Sequence, residues 1–318
     1  MKKITVAVVG LGNMGKHHAR VYAQLKNIQL VAVCDANVKR ANEFGNMYRV
    51  PSFIDYKQLV SSFPKLTIAS VAVPTDFHEK VAVFFLKNKT HVLLEKPIAK
   101  NMHSARRIFA AARANNVKIM VGHVERFNPA VLALKQLIDK GKLGNIVSLI
   151  AKRVGIFPPA VSDTNVFLDL AIHDVDIINF LLGEHPVKIY KHKEKSHTTV
   201  QEDSGELFLL YKHAAAFVQV NWVTPVKIRS VSVTGTRGYA ELDYITQELI
   251  FHKTKVKKRY DTYAEFLQLS RAKTKKIPIE HAEPLQKEIE CFINAVKNDG
   301  NVPIAEEEIL NSLAICLK

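Results

Sequence analysis

Short apolar runs alternate with amphipathic stretches through the first third of the chain. Ile4–Val9 is a continuous β-rich run, typical of a strand buried on both faces of a sheet. The pattern then predicts further strands at Ile28–Cys34, Leu66–Val73, His91–Leu94 and Lys118–Val121, and helices at Met14–Lys26, Val38–Tyr48, Asp76–Lys87 and Ser104–Asn115. Strict alternation of strand and helix predicts an α/β Rossmann domain, with a parallel sheet and helices on both faces.

The pattern changes after Gly122, where strands begin to follow one another without intervening helices. Strands are predicted at Gly144–Arg153, Glu206–Tyr211, Ala215–Thr224, Ile228–Thr234, Tyr239–Asp243 and Glu248–Phe251, and helices at Pro129–Lys140, Phe167–Leu182, Pro284–Asn298 and Glu306–Leu317. This part of the chain therefore predicts an α+β domain with a large, mainly antiparallel sheet. We expect a Rossmann domain at 1–122 and a substrate-binding and oligomerisation domain at 123–318.

A glycine-rich turn lies between the first predicted strand and the first helix. Gly10, Gly12 and Gly15 form a G-x-G-x-x-G pattern around Asn13 and Met14. In this context the glycines permit a tight turn, close approach of the backbone to a pyrophosphate, and close packing of helix on strand. The sequence therefore predicts a dinucleotide site.

The residues after the second strand bear on the choice of dinucleotide. Asp35 lies twenty residues after Gly15, where a carboxylate accepts hydrogen bonds from the adenosine ribose and repels a 2′-phosphate. This position predicts NAD as the cofactor. Lys39 and Arg40 follow closely and leave NADP as the alternative.

Glu95-Lys96-Pro97 ends the next-to-last strand of the predicted Rossmann sheet. The carboxyl ends of parallel strands form the ligand crevice of such sheets, and a lysine there can hold positive charge near a reacting hydroxyl. A surface lysine after a strand is the alternative interpretation. The peptide bond before Pro97 is a candidate for the cis form.

Asp169 and His173 lie four residues apart on a predicted helix and therefore share one face, with Asp176 on roughly the same side. Histidine suits proton transfer near neutral pH, and a nearby carboxylate can tune it. An ordinary surface pair is the alternative. No third metal ligand is evident, so no metal site is predicted.

The segment His123–Pro129 crosses the predicted domain boundary. Arg126 is a candidate ligand for a substrate phosphate or carboxylate, with Asn128 beside it, and Arg153 at the end of the next strand is a candidate of the same type. A structural hinge is the alternative. His17 and His18, on the first helix, are expected at its surface.

Composition narrows the class of protein. The 318 residues carry a net charge of +15, and the stretch Phe251–Ile277 is strongly basic. That stretch is either a solvated loop or an attractor of anions. No nucleic-acid motif and no membrane-length apolar run is found, and three widely separated cysteines suit a reducing compartment; we expect a cytoplasmic protein.

Taken together, these motifs resemble the family of glucose–fructose oxidoreductase and inositol dehydrogenase over nearly the whole chain. The resemblance rests on the glycine turn, Val73–His78, Glu95-Lys96-Pro97, and Asp169 with His173. It implies catalytic roles for Lys96, Asp169 and His173. Cofactor contacts are expected from Gly10, Gly12, Asn13, Met14, Gly15, Asp35, Pro74, Thr75, His78, Glu95 and Lys96. Ala171 stands where the family commonly has glycine. This difference weakens the inference that the chain shares a substrate with the sugar dehydrogenases that have the glycine.

Three segments are similar to a subgroup of that family, the UDP-N-acetylglucosamine 3-dehydrogenases: Gly122–Pro129, Arg153–Pro159 and Asp169–Asp174. The resemblance implies NAD-dependent oxidation of a secondary sugar hydroxyl, that at C3 of a UDP-N-acetylhexosamine, to a keto sugar. The alternatives are a dehydrogenase of a free polyol or other sugar and a non-catalytic nucleotide-binding regulator. An uncovered sheet face in the second domain, together with the family resemblance, predicts a homodimer or homotetramer.

Overall fold

The computed structural model describes residues 3–156, 164–197, 200–253, 262–263 and 273–318. The chain divides into two units. The first is built mainly from Met1–Val124 and Leu285–Leu317, and the second mainly from Glu125–Val161 and Asn165–Pro284.

The first unit contains a six-stranded sheet in which every described pairing is parallel. The strand order is β3-β2-β1-β4-β5-β6, the arrangement of a dinucleotide-binding Rossmann sheet. The strands are β1 (Ile4–Val9), β2 (Ile28–Cys34), β3 (Ser52–Phe53), β4 (Ile68–Val71), β5 (His91–Glu95) and β6 (Ile119–Gly122). Because the order reverses between β1 and β4, the carboxyl ends of these strands open onto a crevice.

Helices connect these strands, and several begin at a side chain that caps them. Asn37, Asp55 and Asn101 each accept a hydrogen bond from a backbone N–H of the helix that follows. The helices are α1 (Gly15–Gln24), α2 (Val38–Tyr48), α3 (Tyr56–Ser62), α4 (His78–Lys87) and α5 (Met102–Asn115). The short elements β3 and α3 were not predicted, because neither carries a long apolar period.

Two C-terminal helices complete the first unit. They are α8 (Pro284–Lys297) and α9 (Glu306–Leu317), and α9 packs on α5, where Arg113 forms an ion pair with Glu306. The predicted division at residues 122 and 123 placed these helices in the second domain. Their amphipathic pattern was clear from the sequence, but it did not indicate which sheet their buried faces would cover.

The second unit contains an eight-stranded sheet, counted over the described residues, in the order β14-β13-β12-β11-β7-β10-β9-β8. Its strands are β7 (Ile146–Ile156), β8 (Lys188–Glu194), β9 (Ser204–Leu210), β10 (Ala215–Asn221), β11 (Val223–Gly235), β12 (Gly238–Asp243), β13 (Glu248–Lys253) and β14 (Lys273–Lys276). The described pairings are antiparallel except for β7 with β10. The unpredicted edge strands β8 and β14 are rich in exposed lysine, which discourages pairing with another sheet edge.

One face of this sheet is covered by helices. Phe167–Ala171 forms a π-helical turn that continues into α7 (Ile172–Leu182), and α6 is Pro129–Asp139. The turn lies close to the sheet, since a Cβ added to Gly205 on β9 would stand 2.2 Å from the Phe167 ring. Only a residue without a side chain leaves room for this contact.

The opposite face carries a row of exposed apolar side chains. Tyr190, Phe208, Phe217 and Ile150 are register partners in sequence across β8, β9, β10 and β7. Their relative exposures are 48%, 41%, 37% and 54%. Large apolar groups aligned in this way form a continuous patch rather than scattered surface residues.

Within the described ranges, no helix combines the length and apolar character needed to cross a bilayer. Most of the basic stretch 251–277 lies outside the described residues, which omit 254–261 and 264–272.

Candidate active site

The glycine-rich turn has a shape that only glycine permits at two of its positions. Gly10 has a φ of 86°, and a Cβ there would lie 2.5 Å from the backbone oxygen of Ala72. A Cβ on Gly15 would lie 1.7 Å from the oxygen of Gly10. At Gly12 a Cβ would meet open space, so this is where a pyrophosphate can approach the backbone and the N-terminus of α1. The turn therefore fits a bound dinucleotide.

Asp35 ties this turn to the end of β2. One of its carboxylate oxygens accepts hydrogen bonds from the backbone N–H of Leu11 at 2.7 Å and from Arg40 at 3.3 Å. The other accepts from the N–H of Asn37 at 2.8 Å. Asp35 is 8% exposed. The carboxylate thus holds the glycine turn in place while standing where an adenosine ribose is expected.

Glu95 and Lys96 are positioned by a buried network under the end of β5. His18 Nε2 lies 2.9 Å from Glu95 Oε1, and His18 Nδ1 lies 2.7 Å from the hydroxyl of Ser70. The backbone N–H of Lys96 donates to Glu95 Oε2 at 3.1 Å. Burial alone would raise the pKa of Glu95, but the hydrogen bond and charge of His18, with the charge of Lys96, hold it below its usual value.

This network corrects two expectations from the sequence. His18 is 1% exposed and holds Glu95, whereas a helix-surface position was predicted for it. Glu95 is 6% exposed, with both carboxylate oxygens directed to protein donors, and so it supports Lys96 from below rather than facing a cofactor.

His78 connects the loops that follow β4 and β5. Its Nδ1 lies 2.8 Å from the carbonyl oxygen of Pro97, and its Nε2 lies 2.9 Å from that of Val73. Burial lowers the pKa of His78, and the two carbonyl contacts oppose that effect. Both ring nitrogens are directed to the backbone, so the cofactor contact predicted for His78 finds no support. Its role is to join the segment of Pro74 and Thr75 to the cis Lys96–Pro97 bond.

Lys96 stands out from its surroundings by its exposure. Across 92–99, every residue is buried except Lys96, which is half-buried. A cation that reaches solvent from an otherwise buried strand end, with a carboxylate beneath it, is placed to meet a ligand at the carboxyl edge of the sheet.

The π-helical turn of the second unit, with the start of α7, also carries half-buried polar residues in an otherwise buried segment. Across 166–179, every residue is buried except Asp169 and His173, which are half-buried. They flank the end of the turn, and π-helical turns occur frequently at functional sites. A helix that shows only these two polar groups presents them together for proton transfer or hydrogen bonding.

The two arginines predicted to bind substrate are held inside the second unit. Arg126 is 6% exposed and donates to Asp176 through Nε at 2.6 Å and Nη2 at 2.9 Å. Arg153 is 4% exposed and donates twice to Asp174, at 2.9 and 3.1 Å, and once to Glu125, at 3.0 Å.

These buried ion pairs show that Arg126 and Arg153 have structural roles. Asn128 likewise caps α6 by accepting from the N–H of Ala130 and donates to the carbonyl of Tyr244. Buried charges require such pairing, because an unpaired charge in the interior is costly. Substrate binding by Arg126, Asn128 and Arg153 therefore finds no support in the geometry, and Asp176 forms an ion pair with Arg126.

Arg229, on β11, is a polar residue that the sequence analysis did not identify. It is half-buried, and its Nη1 donates to the carbonyl oxygens of Val154 and Ile228. The signal was an arginine at an inward position of a predicted strand, in step with Val231 and Val233.

Comparison with known proteins gives a family match to both parts of the chain. Residues 4–123 match the family described as "Oxidoreductase family, NAD-binding Rossmann fold", and residues 131–241 match the "GFO/IDH/MocA C-terminal domain". The chain is 26% identical over 297 residues to UDP-N-acetylglucosamine 3-dehydrogenase of Acidithiobacillus ferrooxidans, covering 93% of this chain and 90% of that protein. It is 28% identical over 190 residues to inositol 2-dehydrogenase of Rhizobium meliloti, covering 58% of this chain and 57% of that protein.

Solved structures share the fold. The Acidithiobacillus ferrooxidans enzyme superposes with a TM-score of 0.85 at 24% identity, over 100% of this chain and 96% of that one. An oxidoreductase from Agrobacterium radiobacter in complex with NAD+, L-tartaric acid and magnesium superposes with a TM-score of 0.82 at 16% identity, over 99% and 94% of the two chains.

Proposed function

This chain belongs to the GFO/IDH/MocA family of NAD-binding oxidoreductases, and from that premise we propose that it oxidises C3 of a UDP-N-acetylhexosamine to the ketone. The observation that carries the proposal is selective exposure. Lys96, Asp169 and His173 are the accessible residues of two otherwise buried segments, 92–99 and 166–179. The relative in Acidithiobacillus ferrooxidans, which covers nearly the whole chain, supports the choice of substrate.

Each of these three residues has a defined task in the proposed reaction. His173 takes the proton of the substrate hydroxyl at an imidazole nitrogen. The Lys96 ammonium donates a hydrogen bond to the same oxygen and stabilises its developing negative charge. Asp169 orients His173 or a neighbouring sugar hydroxyl. NAD held at the glycine turn would supply the acceptor for the hydride that leaves the carbon.

The backbone of Lys96 is held in place by the Glu95 carboxylate. Glu95 accepts from the Lys96 N–H and is itself held by His18, so the strand end cannot rotate without breaking a part-buried and a buried hydrogen bond. The proposal therefore assigns His18 and Glu95 to positioning and Lys96 to contact with substrate.

We propose NAD rather than NADP as the cofactor. The Asp35 carboxylate stands at the end of β2, where a 2′-phosphate would meet its negative charge. Arg40 lies against the same carboxylate at 3.3 Å and is already paired with it, so it does not stand as an independent phosphate ligand.

A direct test is the appearance of NADH when the purified protein is mixed with UDP-N-acetylglucosamine and NAD. His173→Ala and Lys96→Ala are expected to lower kcat by at least about 100-fold, the usual effect of a lost acid–base or charge-stabilising group. His192→Ala and Lys87→Ala, exposed residues of the same types, serve as matched controls. Full activity in the two site variants, with folding and NAD binding intact, would refute the assignment.

Oxidation of a free polyol or another sugar is the second candidate. It is supported by the similarity to inositol 2-dehydrogenase, which covers 58% of this chain. A panel containing UDP-N-acetylglucosamine, N-acetylglucosamine and myo-inositol separates the two functions by the ratio of kcat/KM values.

We also propose that the chain self-associates through the open face of the second sheet, as a homodimer or homotetramer. The row Tyr190, Phe208, Phe217 and Ile150 supports this, because aligned exposed apolar groups favour burial against a second copy.

A further inference from the structure

Arg229 lies on the helix-covered face of the second sheet. Its register partner is Arg153 on β7, and directly opposed residues of an antiparallel pair point to the same face. Arg153 meets Asp174 of α7 on that face, and the next inward residues of β11, Val231 and Val233, are buried there. The Arg229 side chain therefore extends toward the layer that carries the π-helical turn.

The two neighbouring arginines differ in how their charges are balanced. Arg153 is matched by Asp174 and Glu125. Among the residues that the structure describes, no carboxylate forms an ion pair with Arg229, whose Nη1 donates only to the backbone carbonyls of Val154 and Ile228. Arg229 is thus a half-buried cation next to another cation, with donors left for a further acceptor.

The electrostatic surroundings agree with this geometry. Burial, followed by the charge of Arg153, lowers the pKa of Arg229 to about 10, against the opposing charges of Asp174 and Asp169. The group remains a cation at neutral pH. An anion beside it would relieve the repulsion from Arg153.

The backbone also changes course just before Arg229. The register of β11 with β7 passes from Val223 opposite Ile156 to Ile228 opposite Val154, so extra residues bulge out between them. Bulges are frequent next to active sites, where they redirect side chains. Here the bulge ends one residue before Arg229.

We propose that Arg229 binds the diphosphate of the nucleotide-sugar substrate. This deepens the proposed function and rests on it. A guanidinium presents a planar fork that matches phosphate oxygens. Arg229 lies on the sheet face covered by the π-helical turn, and that turn carries Asp169, the group assigned to the sugar hydroxyls. A diphosphate joined at C1 of the same ring is the anion that the proposed substrate would offer to Arg229.

The test compares Arg229→Gln and Arg229→Lys with a control, Arg237→Gln, which alters an exposed arginine in the turn after β11. UDP binding is measured by calorimetry at saturating NADH, so that the dinucleotide site is filled. In parallel, kcat and KM are measured with UDP-N-acetylglucosamine and with uncharged N-acetylglucosamine.

Arg229→Gln is expected to weaken UDP binding and raise KM for the UDP-sugar by about 10- to 100-fold, the range for a lost charge-assisted hydrogen bond. Values for the uncharged sugar should stay within about twofold, and lysine should restore part of the affinity because it keeps the charge but not the fork. The Arg237→Gln control should match the wild type.

Two outcomes separate the ideas. Wild-type UDP affinity in Arg229→Gln, or no UDP binding by the wild-type protein, overturns the diphosphate site. Turnover of a neutral polyol in place of the UDP-sugar, with UDP binding still dependent on Arg229, overturns the proposed substrate but retains the anion site. Melting temperature and NADH binding identify any variant that fails to fold, in which case Arg229→Lys decides.

Discussion

His18 Nε2 lies 2.9 Å from Glu95 Oε1, and both residues are almost fully buried. They are separated by 77 positions in the chain and join the first helix of the Rossmann unit to the strand end that carries Lys96. Because the buried Glu95 carboxylate also accepts from the Lys96 N–H, the packing of the core fixes the position of Lys96.

Replacing His18 tests that dependence. His18→Ala leaves a Glu95 carboxylate oxygen without its donor, and we expect the free energy of unfolding to fall by about 1.5–3 kcal/mol, as for other hydrogen bonds to charged groups. Urea denaturation followed by circular dichroism measures this.

The adjacent histidine provides the control for that substitution. His17 is exposed, and His17→Ala should change the free energy of unfolding by less than about 0.5 kcal/mol. Equal effects of the two substitutions would contradict a special role for His18.

Cofactor choice is expected to depend on Asp35. In Asp35→Asn the amide oxygen still accepts from Leu11, but the negative charge is lost and Arg40 is released from its ion pair. The kcat/KM ratio of NADP to NAD should rise by at least about 10-fold, equivalent to roughly 1.4 kcal/mol. Steady-state kinetics with both cofactors measure it, and an unchanged ratio would show that Asp35 does not determine selectivity.

Glu288, on α8, should make stability depend on pH. It is 0% exposed, and neither carboxylate oxygen has a hydrogen-bond partner among the described residues. Burial, and then the charge of Glu95, raise the pKa of Glu288 well above its usual value. A raised pKa in the folded state means that stability is fully present below the unfolded pKa, near 4.3, and is lost as pH rises through the folded pKa.

Denaturation at a series of pH values tests this assignment. Across that window the wild-type free energy of unfolding should fall by up to about 1.4 kcal/mol per pH unit from this group, and Glu288→Gln should remove that slope. Glu290→Gln, two residues away on a less buried position, should keep it. Identical slopes in wild type and Glu288→Gln would count against the assignment.

Self-association should depend on the row across the open sheet face. Phe217→Lys places a charge at the centre of that row, between register partners Phe208 and Ile150, and is expected to shift the protein toward monomer. Analytical ultracentrifugation measures the change. Ile54→Lys, at an exposed apolar residue of the other unit, should leave the mass unaltered.

Much of the fold was predictable because local patterns agreed with one another. The run Ile4–Val9, the glycine turn and Asp35 lie within one strand–helix–strand unit, and the structure places them as predicted. The turn is encoded by sterics at Gly10 and Gly15, which sequence spacing reveals directly.

Long-range polar pairs were not predictable in the same way. Arg153 meets Asp174 across 21 residues and His18 meets Glu95 across 77, and nothing in local periodicity identifies such partners. From the sequence alone, the buried Arg153 was therefore interpreted as a substrate ligand, and the buried His18 as a surface residue. The amphipathic C-terminal helices were likewise recognisable as helices, but the sequence did not show which sheet they would cover.

Gly205 has a consequence that reaches beyond its own strand. The Phe167 ring occupies the space that a side chain at position 205 would fill, and Asp169 follows two residues later on the same turn. A single added methyl group on β9 would push that turn outward and shift Asp169 with it. The position of Asp169 can therefore be altered by a substitution on β9, a strand that contributes no functional group of its own.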